Sequence, residues 1–134
     1  MPDPEQQAML INRALEARKW AYAPYSGYSV GAAVLAVSGK IYSGSNVENA
    51  AYPDSICAER VAVFSAVHQG ERHFQAIAVA TENGGTPCGS CRQVLAEFGL
   101  EIEILVVDRE GRITSRASLN ELLPEAFTPK DLKR

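Results

Sequence analysis

The stretch CAERVAVFSAVHQGERHFQAIAVA, residues 57–80, decides the fold class. Its first half places Ala58, Val61, Ala62, Ser65 and Ala66 at helical spacing, which predicts a helix over Cys57–Gln69. Gly70 stops that helix, as a glycine after the last turn does. The second half, Phe74–Ala80, reads as a strand. The same alternation then recurs. After the loop Asn83-Gly84-Gly85-Thr86-Pro87, a helix is predicted over Cys88–Phe98, Gly99 ends it, and Ile102–Val107 is a strand. Strands alternating with helices imply parallel crossovers in one sheet.

Outward toward the N-terminus, Tyr28–Val37 reads as a strand, nearly all apolar from Val30 on and therefore buried on both faces. Ser38-Gly39-Lys40 turns the chain into a second strand, Ile41–Asn46, and Val47–Ile56 is irregular. Ahead of these, Glu5–Tyr22 carries helical spacing at Ala8, Ile11, Ala14, Leu15 and Arg18, and Ala23-Pro24-Tyr25-Ser26-Gly27 ends it. Trp20 is expected in the core or at an interface. Toward the C-terminus, Asp108-Arg109-Glu110-Gly111 is a hairpin turn and Arg112–Ser115 opens a fifth strand. Ser118–Leu123 is a short helix whose Ser118 and Glu121 form a capping box. The predicted fold is α/β, with three α/β/α layers around a five-stranded mixed sheet. Its 134 residues suit one domain over 1–134.

Composition removes several classes of function. Thirteen basic residues against sixteen acidic give a net charge of −3, with no basic stripe, so phosphate neutralisation on a nucleic acid is not expected. No apolar run approaches the roughly 20 residues of a membrane span. The acidic N-terminus does not read as a signal peptide, and the expected location is the reducing cytoplasm.

Three cysteines cannot all pair within one chain, and all three fall where a helix is predicted to begin: Cys57, Cys88 and Cys91. Helix N-termini favour thiolate, the form that binds metal. Three thiolates on one Zn²⁺ leave a tetrahedral position open, as catalytic zinc sites do. Glu59 lies two residues after Cys57, about 200° away on a regular helix. Both address one metal only if Cys57 stands at an irregular helix start, which Pro53-Asp54-Ser55 permits. Glu59 then becomes a carboxylate beside the open position. Arg60 is placed to hydrogen bond the sulfurs. Taken alone, Cys88-Gly89-Ser90-Cys91 reads equally as a redox pair, half a zinc site or coincidence, and free cysteines are often plain buried residues. A closed structural zinc module and a thiol oxidoreductase are the rivals from other classes. His68 and His73 are assigned no zinc role.

The chain resembles the short, homotetrameric, zinc-dependent cytidine deaminases that act on free nucleosides. The likeness extends over about Glu5–Leu132 and rests on Ala23-Pro24-Tyr25-Ser26, Val30-Gly31-Ala32-Ala33, Asn46-Val47-Glu48-Asn49-Ala50-Ala51-Tyr52, Cys57-Ala58-Glu59-Arg60, Pro87-Cys88-Gly89-Ser90-Cys91-Arg92-Gln93 and Glu121-Leu122-Leu123-Pro124. The resemblance implies hydrolytic deamination of cytidine and 2′-deoxycytidine in pyrimidine salvage, with one Zn²⁺ per subunit on Cys57, Cys88 and Cys91. It implies Glu59 as the acid/base, Asn46 and Glu48 on the ribose, the Ala58 backbone on the pyrimidine, and Arg60 and Gln93 hydrogen bonded to the zinc thiolates. It further implies pockets shared between subunits, with Ala50 and Tyr52 reaching in from one neighbour and Phe127 stacking from another. The family's pocket aromatic after the first loop is typically phenylalanine; here Tyr28 keeps the ring and adds a hydroxyl. Deaminases of other aminopyrimidine nucleosides, such as blasticidin S, share the cysteines and the glutamate but not the Asn46–Tyr52 loop in this form.

Overall fold

A computed structural model describes residues 2–132; Met1, Lys133 and Arg134 of the expected 1–134 domain lie outside the described residues. Helix α1 (Pro4–Arg18) leads into strands β1 (Gly31–Ala36) and β2 (Ile41–Ser45). Helix α2 (Ala58–His68), strand β3 (Phe74–Ala80), helix α3 (Gly89–Ala96) and strand β4 (Glu103–Val107) follow. Strand β5 (Ile113–Ser118) and the short helix α4 (Leu119–Leu122) complete the order.

The five strands form one mixed sheet in the order β2-β1-β3-β4-β5. β3 and β4 run parallel, and every other neighbouring pair is antiparallel. The crossover through α3 joins adjacent strands, whereas the one through α2 passes over β1, so β2 and β3 share a direction without pairing.

Alternation along the buried strands divides the core between two faces. Ala33, Leu35, Ala76, Ala78, Ala80, Leu105 and Val107 pack with Leu10 and Ala14 of α1. Ala32, Val34, Ile77, Val79, Ile104 and Val106 pack with Ala58, Ala62, Val63 and Ala66 of α2, Leu95 and Ala96 of α3, and Leu119. The result is the expected α/β/α sandwich. Each fully buried Leu, Ile or Val contributes about 1.5–3 kcal/mol by leaving water. Small residues bring the helices close on both sides. A Cβ on Gly31 would lie 2.1 Å from the Ala14 carbonyl oxygen of α1, and one on Gly44 would lie 2.5 Å from the Ala62 nitrogen of α2.

The end of α1, the start of β1 and the buried face of α2 differ from the sequence reading. α1 ends at Arg18 rather than Tyr22, because Tyr22 is drawn into backbone pairing: its N–H donates to Asn46 at 2.9 Å and its carbonyl accepts from Glu48 at 2.8 Å. Trp20 beyond the helix is 77% exposed, so it is not in the core of this chain. β1 starts at Gly31, not Tyr28. The backbone before it is held by a side chain instead, since Asn46 bonds to Tyr28 and Val30. On α2, Val63 is buried where Ser65 was expected, and Ser65 is exposed.

Candidate active site and metal centre

α2 and α3 both begin at a cysteine. Cys57 and Cys88 are the N-cap residues, in extended conformation and without a side-chain cap hydrogen bond. Cys91 is in the first turn of α3 and fully buried. The irregular start that Glu59 required is therefore present: Cys57 has φ −76° and ψ 151°, and Glu59 lies inside the helix. The 3₁₀ turn Tyr52–Asp54 and the bridge between Val47 and Ile56 deliver Cys57 from the preceding loop.

The three sulfurs converge. Sγ of Cys88 lies 3.5 Å from Cys91 and 3.9 Å from Cys57, and all three lie within 4.8 Å of one another. Tetrahedral zinc with Zn–S bonds near 2.3 Å requires sulfurs ~3.8 Å apart. The spacing and the thiol donor set fit one Zn²⁺. The Arg60 Nη2 donates to Cys57 Sγ at 3.4 Å, as expected, while its buried Nε has no partner.

Electrostatics reinforce the arrangement. The protein groups alone draw the Cys57 thiol down to about 5; the neighbouring Cys91 thiol is the largest cause, burial opposes it, and Arg60 assists. The Cys91 thiol is pushed up, first by Cys57 and then by burial. Burial is the largest cause pushing the Glu59 carboxyl up to about 7, and the negative charge of Cys57 adds to it. Glu59 is 5% exposed. A carboxyl titrating near neutrality can both take and return a proton.

Cys57, Cys88 and Glu59 line a cavity of about 530 Å³, a volume suited to a small organic ligand, with Cys91 buried behind them. Ala58 and Arg60 line it too, as do Tyr28, Asn46 and Glu48. Asn46 and Glu48 are buried and already engaged with the protein. Asn46 Oδ1 accepts from Val30 N at 2.9 Å, and its Nδ2 donates to the Tyr28 carbonyl at 2.9 Å. Glu48 accepts from Tyr25 N at 2.9 Å, from Ser26 N at 3.0 Å and from the Ser26 hydroxyl. Those bonds, the Ser26 hydroxyl first, hold the Glu48 carboxyl below its usual range. An amide hydrogen on Asn46 and carboxylate lone pairs on Glu48 remain for a ligand.

Other expected residues lie elsewhere. Gln93 does not meet the thiols; its Nε2 donates to the Phe127 carbonyl at 2.8 Å. Two residues past Cys91, it points about 200° away around α3. Phe127 and Ala50 do not line this cavity within one chain, and Phe127 is 55% exposed. Tyr52 does line the cavity of its own chain, because the 3₁₀ turn folds it back there. Thr81 was not anticipated. It is buried at the C-terminal end of β3, the end at which open α/β sheets receive ligands, and lines the cavity; that position was the available signal.

The likeness to known proteins agrees with this geometry. A family model described as the cytidine and deoxycytidylate deaminase zinc-binding region matches residues 4–107, a span that holds all three cysteines. The cytidine deaminase of Sporosarcina psychrophila is 46% identical over 126 residues, 92% of each chain. The crystal structure of cytidine deaminase from Burkholderia pseudomallei superposes with a TM-score of 0.85 at 44% identity, over 95% of this chain and 100% of that one. The Mycobacterium tuberculosis cytidine deaminase structure has a TM-score of 0.80 at 37% identity, over 90% and 96% of the two chains. With the cysteine cluster, the buried glutamate and the fold in agreement, the chain belongs to the zinc-binding cytidine and deoxycytidylate deaminase family.

Proposed function

We propose that the chain deaminates cytidine and 2′-deoxycytidine hydrolytically, giving uridine or 2′-deoxyuridine and ammonia. The observation that carries this reading is the buried Glu59 carboxyl beside the Cys57–Cys88–Cys91 cluster, in a cavity that Asn46 and Glu48 also line. Cys57, Cys88 and Cys91 would hold the zinc ion, which would make a water acidic enough to act as nucleophile near neutral pH. Glu59 takes the proton of the attacking water and delivers it to N3 of the base as C4 is attacked. Glu59 then takes the hydroxyl proton of the tetrahedral adduct and passes it to the amine; the C4–N bond breaks as the C4 carbonyl forms, so water and cytidine balance uridine and ammonia. Arg60 shares the thiolate charge through Cys57. Asn46 and Glu48 hold the ribose 3′-hydroxyl, the Ala58 backbone contacts the pyrimidine, and Tyr28 walls the pocket.

The residues 1–134 act as one deaminase domain in a homotetramer in the cytoplasm, serving pyrimidine salvage. Phe127, exposed and outside its own chain's cavity, and Ala50 complete the pocket of neighbouring subunits. Among the described residues no helix is long and apolar enough to cross a membrane, which is compatible with that location. Sedimentation of the purified protein at the mass of four chains supports the assembly; a monomer that deaminates at full rate contradicts shared pockets.

The function is tested by following ultraviolet absorbance with cytidine, 2′-deoxycytidine, cytosine and blasticidin S. Turnover of the two nucleosides is expected. Turnover of cytosine but not of the nucleosides would refute the ribose role of Asn46 and Glu48.

A further inference from the structure

We propose that the Tyr28 hydroxyl is a strut across the cavity mouth, and that residue 85 is glycine because a side chain there would dislodge that strut. The inference rests on the cavity being the nucleoside site. Two segments face each other at its rim, residues 24–30 and residues 81–87. The first is held from behind: Ser26 bonds to Glu48 and offers its Oγ to Tyr28 N at 3.0 Å, and the Tyr28 carbonyl accepts from Asn46. The second is held by Thr81, whose Oγ1 accepts from Gly84 N at 2.7 Å and Gly85 N at 2.9 Å. It is also held by Arg92, which donates to the Pro87 carbonyl at 2.8 Å.

Among the described residues, one hydrogen bond joins the two segments directly: Tyr28 donates its hydroxyl to Asn83 Oδ1 at 2.8 Å. Arg18 spans them indirectly, donating to the Ser29 carbonyl at 3.0 Å and pairing with Glu82 at 2.6 Å. The phenol proton is thus committed to the rim and is not free for a ligand. The polarity that tyrosine adds over phenylalanine serves the shape of the pocket.

Gly85 supplies an independent observation. A Cβ built there would lie 2.8 Å from the Tyr28 hydroxyl oxygen, and its next neighbours, Asn83 Oδ1 and Tyr28 Cζ, stand at 3.8 and 3.9 Å. The backbone at Gly85 is not left-handed, unlike that of Gly84, which has φ +81°. What excludes a side chain at 85 is therefore the hydroxyl of residue 28, not the backbone. A Cβ pushes the hydroxyl off Asn83, and removing the hydroxyl removes the clash. Tyr28 is a positioning residue in this scheme, and Glu59 and the cysteines are untouched by it.

The test is a cycle of four full-length, zinc-loaded proteins: the parent, Tyr28→Phe, Gly85→Ala and the double variant. KM and kcat for cytidine and Tm are measured for each. In the Tyr28 background, Gly85→Ala raises KM about two- to tenfold, the worth of one hydrogen bond, with kcat little changed. In the Tyr28→Phe background the same substitution changes neither KM nor Tm. Tyr28→Phe alone raises KM by a similar factor, because it removes the same bond; Asn83→Ala reproduces that rise, and Asn83→Asp, which keeps an acceptor, does not. A Gly85→Ala effect of equal size in both backgrounds, or absent from both, overturns the strut. If the parent does not deaminate cytidine, the functional reading fails instead. The Tm values then decide the strut alone, since Gly85→Ala lowers Tm only where the Tyr28 hydroxyl is present.

Discussion

α1 and α4 start as helices in soluble proteins usually do; α2 and α3 do not. Asp3 and Gln6 close a capping box on α1, with Gln6 N donating to Asp3 at 2.8 Å and Asp3 N to Gln6 at 3.2 Å. Ser118 and Glu121 do the same for α4. At the starts of α2 and α3 the N-cap positions carry Cys57 and Cys88, which cap nothing with their side chains. A cap of Asp, Asn, Ser or Thr contributes about 0.5–2 kcal/mol, so two helices forgo a stabilising device. They forgo it where three sulfurs and a buried carboxyl converge. Local rules of helix construction fail together where the chemistry lies.

The contrast can be broken most severely at Cys91. Cys91→Ser is expected to reduce zinc from one per chain to near none by elemental analysis, abolish deamination and lower Tm, because metal binding and folding are coupled. Zinc retained at one per chain would mean that the α3 start is ordinary after all. Arg60→Gln acts on the same cluster more gently, weakening zinc affinity about 10- to 100-fold in chelator competition. Unchanged affinity there would remove Arg60 from the thiolate charge balance.

Glu48 tests the neighbouring loop, whose carboxylate ties hold ordinary structure as well as the pocket. Its carboxyl is held below the ordinary value of 4.5 in the folded protein, chiefly by the Ser26 hydroxyl. A lowered folded value gives stability that is present above the unfolded value and lost as pH falls through the folded one. The Tm advantage of the parent over Glu48→Gln should therefore shrink as pH falls below about 4.5. A gap that stays constant across that range would show that the carboxylate is not what Ser26 and Tyr25 hold. The smallest effect belongs to the conventional caps. Ser118→Ala should cost about 1 kcal/mol in denaturant unfolding and leave zinc content unchanged.

Much of this was legible from residue order because the relevant signals are local. Alternating strand and helix patterns mark the sheet, Ser118 and Glu121 mark a cap, and cysteines at predicted helix starts mark the metal cluster. What stayed hidden depends on partners far along the chain. Nothing between Arg18 and Tyr22 breaks a helix; the helix stops because Tyr22 pairs with residues 46 and 48. The hydroxyl of Tyr28 finds Asn83, 55 positions away. Gln93 could be placed near the thiols by motif, but its helical angle from Cys91 turns it toward Phe127.

The central claim is that the cysteines hold zinc and that Glu59 moves the protons, and Glu59→Gln separates the two roles. The decisive measurement is zinc per chain together with cytidine turnover in the parent and in Glu59→Gln. One zinc per chain is predicted in both, with turnover falling by about 10²- to 10⁴-fold in the variant. Near-parental turnover in zinc-loaded Glu59→Gln would contradict the account.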